Sequence, residues 1–347
     1  MTAFPRPARR LLALALAVAA VPAMADNPFS RTVFFGDSLT DSGFYRPLLP
    51  ASVQAVTGQF TTNPGWVWSQ YLADYYGTDA KPNGNGQAGS NYAAGGARVA
   101  VDSTGALGAV PSLATQVGNY LAANGGKADP NALYTVWGGA NDLFAVTAGA
   151  NPTTTIGTAV ATEVGLVGQL QGAGARYVMV FNIPDLGLTP SFRAQGAVAQ
   201  ATGTQLASSY NAALFSGLAS AGLKVIPVDT FHMLQEVVAA PAAYGFGNVT
   251  GTACQPQITA NSLTCNPTSY VSADAASSYV FADGVHPTVA THQILSQYAI
   301  SVIEAPRLQQ VLTHSAQVTG RARADQVAWH RAGVDAADGL SWWGNLR

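Results

Sequence analysis

Charge is scarce in this chain. Asp, Glu, Lys and Arg together make up 10% of its 347 residues, and only three of those are Glu. A coiled coil would need far more Glu, Lys and Arg, and a disordered chain would hold fewer apolar residues than the 48% present here. With a formal net charge of −2 and no basic patch in the body, nucleic-acid partners have no electrostatic support. There is no His-Glu-x-x-His, so a zinc-protease reading fails, and no Gly-x-Ser-x-Gly nucleophile elbow. The 36 Gly and 19 Pro follow no triplet period, which excludes collagen. The two cysteines, Cys254 and Cys265, lack a second Cys or His pair nearby for zinc.

What is present begins with a leader pattern. Arg6, Arg9 and Arg10 precede an apolar run, Leu11 to Val21, too short to cross a bilayer. Ala23-Met24-Ala25 completes the pattern of a secretory signal peptide over residues 1–25. Its removal would take away three Arg and no acid, shifting the formal charge from −2 to −5. In an oxidising compartment Cys254 and Cys265 are expected to form one disulfide.

The body alternates strand and helix. Thr32–Phe35, Leu133–Trp137, Tyr177–Phe181 and Leu223–Val228 are short apolar runs rich in β-branched and aromatic residues. Continuous apolar strands suit a parallel sheet covered on both faces. Between them, 153–173 and 191–221 have helical composition, and Pro287–Glu304 reads as a final helix. The pattern predicts an α/β class, three-layer α/β/α domain whose ligands sit beyond the carboxyl ends of the strands.

Polar residues cluster at those ends. Gly36-Asp37-Ser38-Leu39 follows the first strand, Gly138-Gly139-Ala140-Asn141-Asp142 the second, and Asp283-Gly284-Val285-His286-Pro287 precedes the last helix. A Ser, an Asn and an Asp-x-x-His supply a nucleophile, an oxyanion donor, and a base with its orienter. Each has a plainer reading: Ser38 as a helix cap, Asn141 as a turn residue, His286 as an ordinary helix-start residue. Spacing also offers a rival pair, Asp229 and His232. Gly84, Gly86 and Gly89 satisfy Gly-x-Gly-x-x-Gly, but no strand precedes them and no helix opens after them, so a dinucleotide site fails its context test.

Phe35-Gly36-Asp37-Ser38-Leu39-Thr40-Asp41 resembles block I of the GDSL (SGNH) esterase and lipase family. Asn91-Tyr92-Ala93-Ala94-Gly95-Gly96-Ala97 resembles block II, Gly139-Ala140-Asn141-Asp142 block III, and Asp283-Gly284-Val285-His286-Pro287 block V. The resemblance implies a mainly parallel, flavodoxin-like sheet in the three-layer sandwich. It also implies Ser38 as nucleophile, His286 as base and Asp283 as its orienter. The oxyanion hole would be the Ser38 and Gly96 N–H groups with the Asn141 side chain, Gly95 remaining open as the block II donor. It chooses His286 over His232 because Gly and Pro frame block V. The implied activity is hydrolysis of carboxylic esters by acyl transfer, with no metal or organic cofactor. A phospholipase or lipid acyltransferase would share these residues, and a non-catalytic surface adhesin is the rival outside enzymes. Phe44, Tyr45, Phe60, Trp66 and Trp68 either line an acyl groove or belong to the core.

Past Pro306 the chain changes character, with five of the 16 basic residues at Arg307, Arg321, Arg323, Arg331 and Arg347. Residues 26–305 are therefore expected to form the hydrolase domain and 306–347 a helical linker or tail. The arrangement resembles the passengers of Gram-negative autotransporter esterases. That resemblance implies export and either outer-membrane attachment through a C-terminal barrel or a free secreted enzyme with an odd tail; Trp342-Trp343 would suit an interfacial strand start or a frayed terminus.

Overall fold

The computed structural model describes residues 27–333. The expected leader and the Trp342–Trp343 pair lie outside the described residues. Four parallel strands form the central sheet in spatial order β1 (Thr32–Gly36), β2 (Leu133–Trp137), β3 (Tyr177–Phe181) and β4 (Ile226–Val228). Phe34 pairs with Thr135, Thr135 with Met179, and Met179 with Ile226. On the free edge of β1 runs the segment around Asn91. Tyr92 N–H donates to the Phe34 carbonyl at 2.8 Å, and Ala94 N–H to that of Gly36 at 3.2 Å. Counting this edge segment, the order is the flavodoxin-like 2-1-3-4-5, and the sheet reverses direction of growth between β1 and β2.

Side chains alternate across the strands, as the pleat requires. Val33, Phe35, Tyr134, Val136, Val178 and Val180 enter one core cluster, whereas Phe34, Leu133, Trp137, Met179 and Phe181 enter another. Seven helices recur below: α1 (Trp68–Tyr75), α2 (Leu113–Ala123), α3 (Ala140–Thr147), α4 (Pro152–Gly172), α5 (Ala197–Ser220), α6 (Thr230–Ala239) and α7 (Val289–Gly333). The first cluster is closed by α2, α4 and α5 through Val117, Leu170 and Leu214; the second by α1 and α7 through Trp68, Leu72, Leu295 and Ala299. The result is the three-layer sandwich. Each fully buried large apolar side chain contributes about 1.5–3 kcal/mol. Local signals set the helix starts: Ser112 caps α2 by accepting from Thr115 N–H, and Asn151 caps α4 with Pro152 behind it.

Three expectations need correction. The run at Leu223 becomes a strand only from Ile226, as an edge strand that tolerates Pro227. The stretch 191–221 is two helices, Pro190–Ala194 and α5, parted at Gln195 and Gly196. The last helix starts at Val289, not at Pro287, because Thr288 N–H is committed to the Val280 carbonyl. It then continues through Pro306 instead of ending at Glu304. Beyond Ala305 the side chains described are almost all exposed, so the core stops near that point although the helix does not. Among the described residues, no helix is long and apolar enough to cross a membrane.

Between α6 and α7 the chain makes a long excursion. It carries a parallel strand pair, β5 (Asn248–Thr252) and β6 (Tyr279–Phe281). Cys254 and Cys265 are paired within it, with Cα atoms 5.9 Å apart. The excursion ends at the Asp283–His286 turn.

Candidate active site

A tight turn follows β1. The Asp37 carbonyl accepts the N–H groups of Thr40 and Asp41, both at 3.0 Å, and Asp37 Oδ1 accepts Leu39 N–H at 3.0 Å. No helix follows directly, so Ser38 caps nothing; the turn presents its hydroxyl at the carboxyl edge of the sheet. Gln116 holds the strand end from below, with Oε1 accepting Gly36 N–H at 2.9 Å and Nε2 donating to the Gly36 carbonyl at 2.8 Å.

The excursion brings its turn to the same place. His286 Nε2 lies 2.8 Å from Ser38 Oγ. His286 Nδ1 is 2.9 Å and 2.8 Å from the two Asp283 oxygens. Asp283 Oδ1 also accepts the N–H groups of Val285 and His286 at 3.0 and 2.8 Å, and Oδ2 accepts Ser262 N–H at 2.9 Å. Burial acts first on this carboxyl and would raise its pKa. The facing imidazole and these hydrogen bonds outweigh burial and hold it below the usual carboxylate range. For His286 burial would lower the pKa, but the Asp283 charge and hydrogen bond, helped by Asp37, raise it above 6.5.

Asn141 sits in the first turn of α3. Gly139 precedes it at φ +99°, a backbone that favours glycine, and a Cβ there would lie 2.4 Å from the Tyr210 ring. The Asn141 amide donates to the Ala97 carbonyl at 3.0 Å and reaches Asp37 Oδ2 at 3.3 Å. Asp37 is fully buried, and burial pushes its carboxyl up to about 6. Asp142 is a structural acceptor, bound by Arg98 Nε and Val99 N–H, each at 2.9 Å.

The block II alternatives separate by geometry. Gly95 N–H is spent on Asp41 Oδ2 at 3.0 Å, and a Cβ on Gly95 would meet the Phe60 ring at 2.2 Å. Gly96, at φ +83°, is uncrowded, a Cβ there meeting only Val110 at 3.8 Å, and its N–H finds no partner among the described residues; neither does that of Ser38. Two unspent N–H donors and one amide therefore lie beside the hydroxyl.

Two cavities meet at Ser38, Asn141 and His286. One is narrow, about 60 Å³, with apolar walls from Trp137, Met233, Leu234, Phe281 and Leu295. The other is an open cleft of about 680 Å³, walled by Ser103 and Gly105 to Leu107, by Tyr45 and Phe60, and by Ile258 to Asn261 and Leu263 of the disulfide loop. The five aromatics divide. Trp68 and Phe44 are core, Trp66 is largely exposed, Tyr45 lines the cleft from a buried position, and Phe60 packs on the His286 ring at 5.1 Å. Gly84 and Gly89 lie in a short two-stranded hairpin region, not a nucleotide loop. His232 pairs with Asp229 at 2.6 Å but lines neither cavity. Among the described residues, no three His, Cys, Asp or Glu side chains converge where a metal ion could be held.

Sequence reasoning missed three supports: Ser262 N–H on Asp283, Gln116 under Gly36, and Asp41 on Gly95. Asp41 stood in the block I motif and was visible; the other two act across long separations and left no local signal.

Against known proteins, the family model described as GDSL-like Lipase/Acylhydrolase matches residues 32–299. Esterase EstA of Pseudomonas aeruginosa is 32% identical over 90% of this chain and 53% of its own length. Lipase 1 of Photorhabdus luminescens is 27% identical over 88% of this chain and 54% of its own. The chain thus spans about half the length of these two relatives. Phosphatidylcholine-sterol acyltransferase of Aeromonas hydrophila is 28% identical over 84% of this chain and 96% of its own.

Proposed function

This chain belongs to the GDSL-like lipase/acylhydrolase family, and from that premise we propose that it is a serine esterase hydrolysing carboxylic esters through an acyl-enzyme on Ser38. The observation that carries the reading is the unbroken chain from Ser38 Oγ through His286 to Asp283, each link 2.8 Å. His286 takes the Ser38 proton as Oγ attacks the ester carbonyl. The oxyanion that forms accepts from the N–H groups of Ser38 and Gly96 and from the Asn141 amide. The 3.3 Å contact of that amide with Asp37 is long for an N–H donor, so this proton is the one released to the oxyanion. His286 then hands its proton to the departing alkoxide. Water, deprotonated by the same imidazole, cleaves the acyl-enzyme and restores Ser38. Asp283 stays ionised, fixes the tautomer and stabilises the imidazolium.

The test is a fluorophosphonate probe with peptide mapping, run beside Ser38→Ala. The label is expected on Ser38 alone, and the variant should lose about 10⁶ in kcat with its fold intact. Wild-type-like turnover by the variant would overturn the reading. The acyltransferase relative favours a second outcome at the same site, in which an alcohol instead of water resolves the acyl-enzyme. Adding a sterol or short alcohol to a phospholipid assay and measuring transfer against hydrolysis decides between them.

The proposal extends to location and domains. Residues 1–25 are cleaved on export, residues 26–305 form the hydrolase domain and 306–347 the tail, and the Cys254–Cys265 disulfide forms outside the cytoplasm. The exported enzyme is either held at the outer membrane, through a C-terminal barrel, or secreted. The leader pattern and the paired cysteines support export. A mature N-terminus at Asp26, and recovery in the outer-membrane or secreted fraction, are the expected results.

A further inference from the structure

The two cavities at Ser38 differ in a way that bears on which half of the ester goes where. The narrow one is walled by the buried Trp137, Leu186, Leu234, Phe281 and Leu295 and the half-buried Met233, apolar residues from five separate elements of the fold. At about 60 Å³ it is less than half of the roughly 150 Å³ that admits a benzene ring. The cleft is open to solvent, more than ten times larger at about 680 Å³, and has Ser103, Ser191, Thr259 and Asn261 on its walls. In acyl transfer the alcohol leaves first and must reach solvent, while the acyl group stays bound until water arrives. A narrow apolar pocket suits the part that stays, and a wide cleft open to solvent suits the part that departs.

Resting on the esterase reading above, we propose that the narrow pocket holds the acyl chain and restricts it to short chains, while the cleft takes alcohols with little restriction on size. The preferred substrate class is therefore short-chain acyl esters of bulky alcohols. Met233 is the residue that sets the limit. It is half-buried on α6, so its side chain can change without emptying the centre of the core. A chain longer than the pocket must displace packed side chains, whose close packing resists this.

Octyl acetate and ethyl octanoate are isomers of equal size and closely similar hydrophobicity that exchange the long chain between the two halves. The wild-type protein, assayed with both below their aggregation limits, should show kcat/KM at least tenfold higher for octyl acetate. Met233→Ala should narrow that ratio by at least fivefold. Met233→Phe should widen it and should reduce butyrate hydrolysis relative to acetate. Val198→Ala, at an exposed position of α5 that lines neither cavity, should leave the ratio within twofold. Equal rates on the two isomers, or faster cleavage of ethyl octanoate, would overturn the assignment while leaving the esterase standing. If neither isomer nor p-nitrophenyl acetate is cleaved and the fluorophosphonate does not label Ser38, the esterase reading itself fails and this assignment falls with it. If Met233→Ala does not fold, the Met233→Phe ratio and the wild-type isomer ratio decide.

Discussion

Residues 229–232 and 283–286 each place an aspartate three positions ahead of a histidine, and in each the carboxylate meets Nδ1, at 2.6 and 2.8 Å. In each, the same carboxylate also accepts the histidine's own N–H, at 3.2 and 2.8 Å. The local plan is thus shared. The surroundings are not. The side chains of Asp229 and His232 are 45% and 72% exposed, those of Asp283 and His286 5% and 16%. Water screens the first pair, which is worth about 0–1 kcal/mol or less. Asp229 also serves Asn182, whose amide reaches its Oδ1 at 2.8 Å, and it caps α6. Past His286 stands Ser38, and behind Asp283 stands the disulfide loop with Ser262. Sequence spacing builds an aspartate–histidine pair; burial and a third group set its imidazole against the Ser38 hydroxyl, as the proposed mechanism requires.

The sharpest way to break this comparison is to remove the two carboxylates in turn. Asp283→Asn should lower kcat by about 10⁴, the scale expected when the imidazole loses its tautomer and its counter-charge. The pH profile should change with it. Because His286 is raised above 6.5, its protonated, inactive form persists to higher pH than usual, and the acid limb of kcat/KM should lie above 6.5. Without the Asp283 charge that limb should move down. An unchanged limb would assign it to another group.

Stability should follow the same pair. The Asp283 contribution is present above its ordinary value of 3.8 and is lost as pH falls through its depressed folded value. The His286 contribution is present below 6.5 and is lost as pH rises through its raised folded value. Denaturant midpoints of wild type and Asp283→Asn should therefore differ most between 3.8 and 6.5.

Asn141→Ala removes one of the three proposed oxyanion donors and should cost about 10²–10³ in kcat with little change in KM. A kcat within about threefold of wild type, far below the usual cost of a lost donor, would return Asn141 to a turn residue. Opening the disulfide is a milder attack on the Asp283 side. Reduction, or Cys254→Ser with Cys265→Ser, should cost roughly 3 kcal/mol of stability in the chain-entropy model, read by urea unfolding. It should also lower activity by less than Asn141→Ala does, because the loop that brings Ser262 N–H to Asp283 loses its closure. The smallest effect is reserved for the rival pair. Asp229→Ala should leave kcat/KM within about twofold and cost about 1 kcal/mol of stability, the worth of a cap. A large loss of activity there would mean that the two turns are not separable by burial.

Much of this was legible without coordinates. Apolar runs ending in Gly or Asn located β1, β2 and β3 almost to the residue, since a strand buried on both faces has a composition of its own. The edge strand at Ile226 and the helix through Pro306 were misjudged. In the first, a run's composition does not say where the neighbouring strand ends; in the second, proline weakens a helix without always ending it. The aromatics from Phe44 to Trp68 could not be divided between core and cleft, because both demand the same side chains.

Within the site, the sequence by itself determined the turns. Asp37 to Asp41, Gly139 to Asn141 and Asp283 to His286 owe their shapes to hydrogen bonds spanning two to four residues, which short motifs encode. Only the tertiary structure decided what those turns do together. Ser38 and His286 are 248 positions apart and meet because the sheet reverses its order between β1 and β2. Gly96 was separated from Gly95 only by a bond across 54 positions to Asp41. His286 was separated from His232 by which turn the excursion buried. Contacts within a few residues are fixed by local backbone chemistry; contacts across the chain depend on how the layers pack, and no short stretch of sequence carries that information.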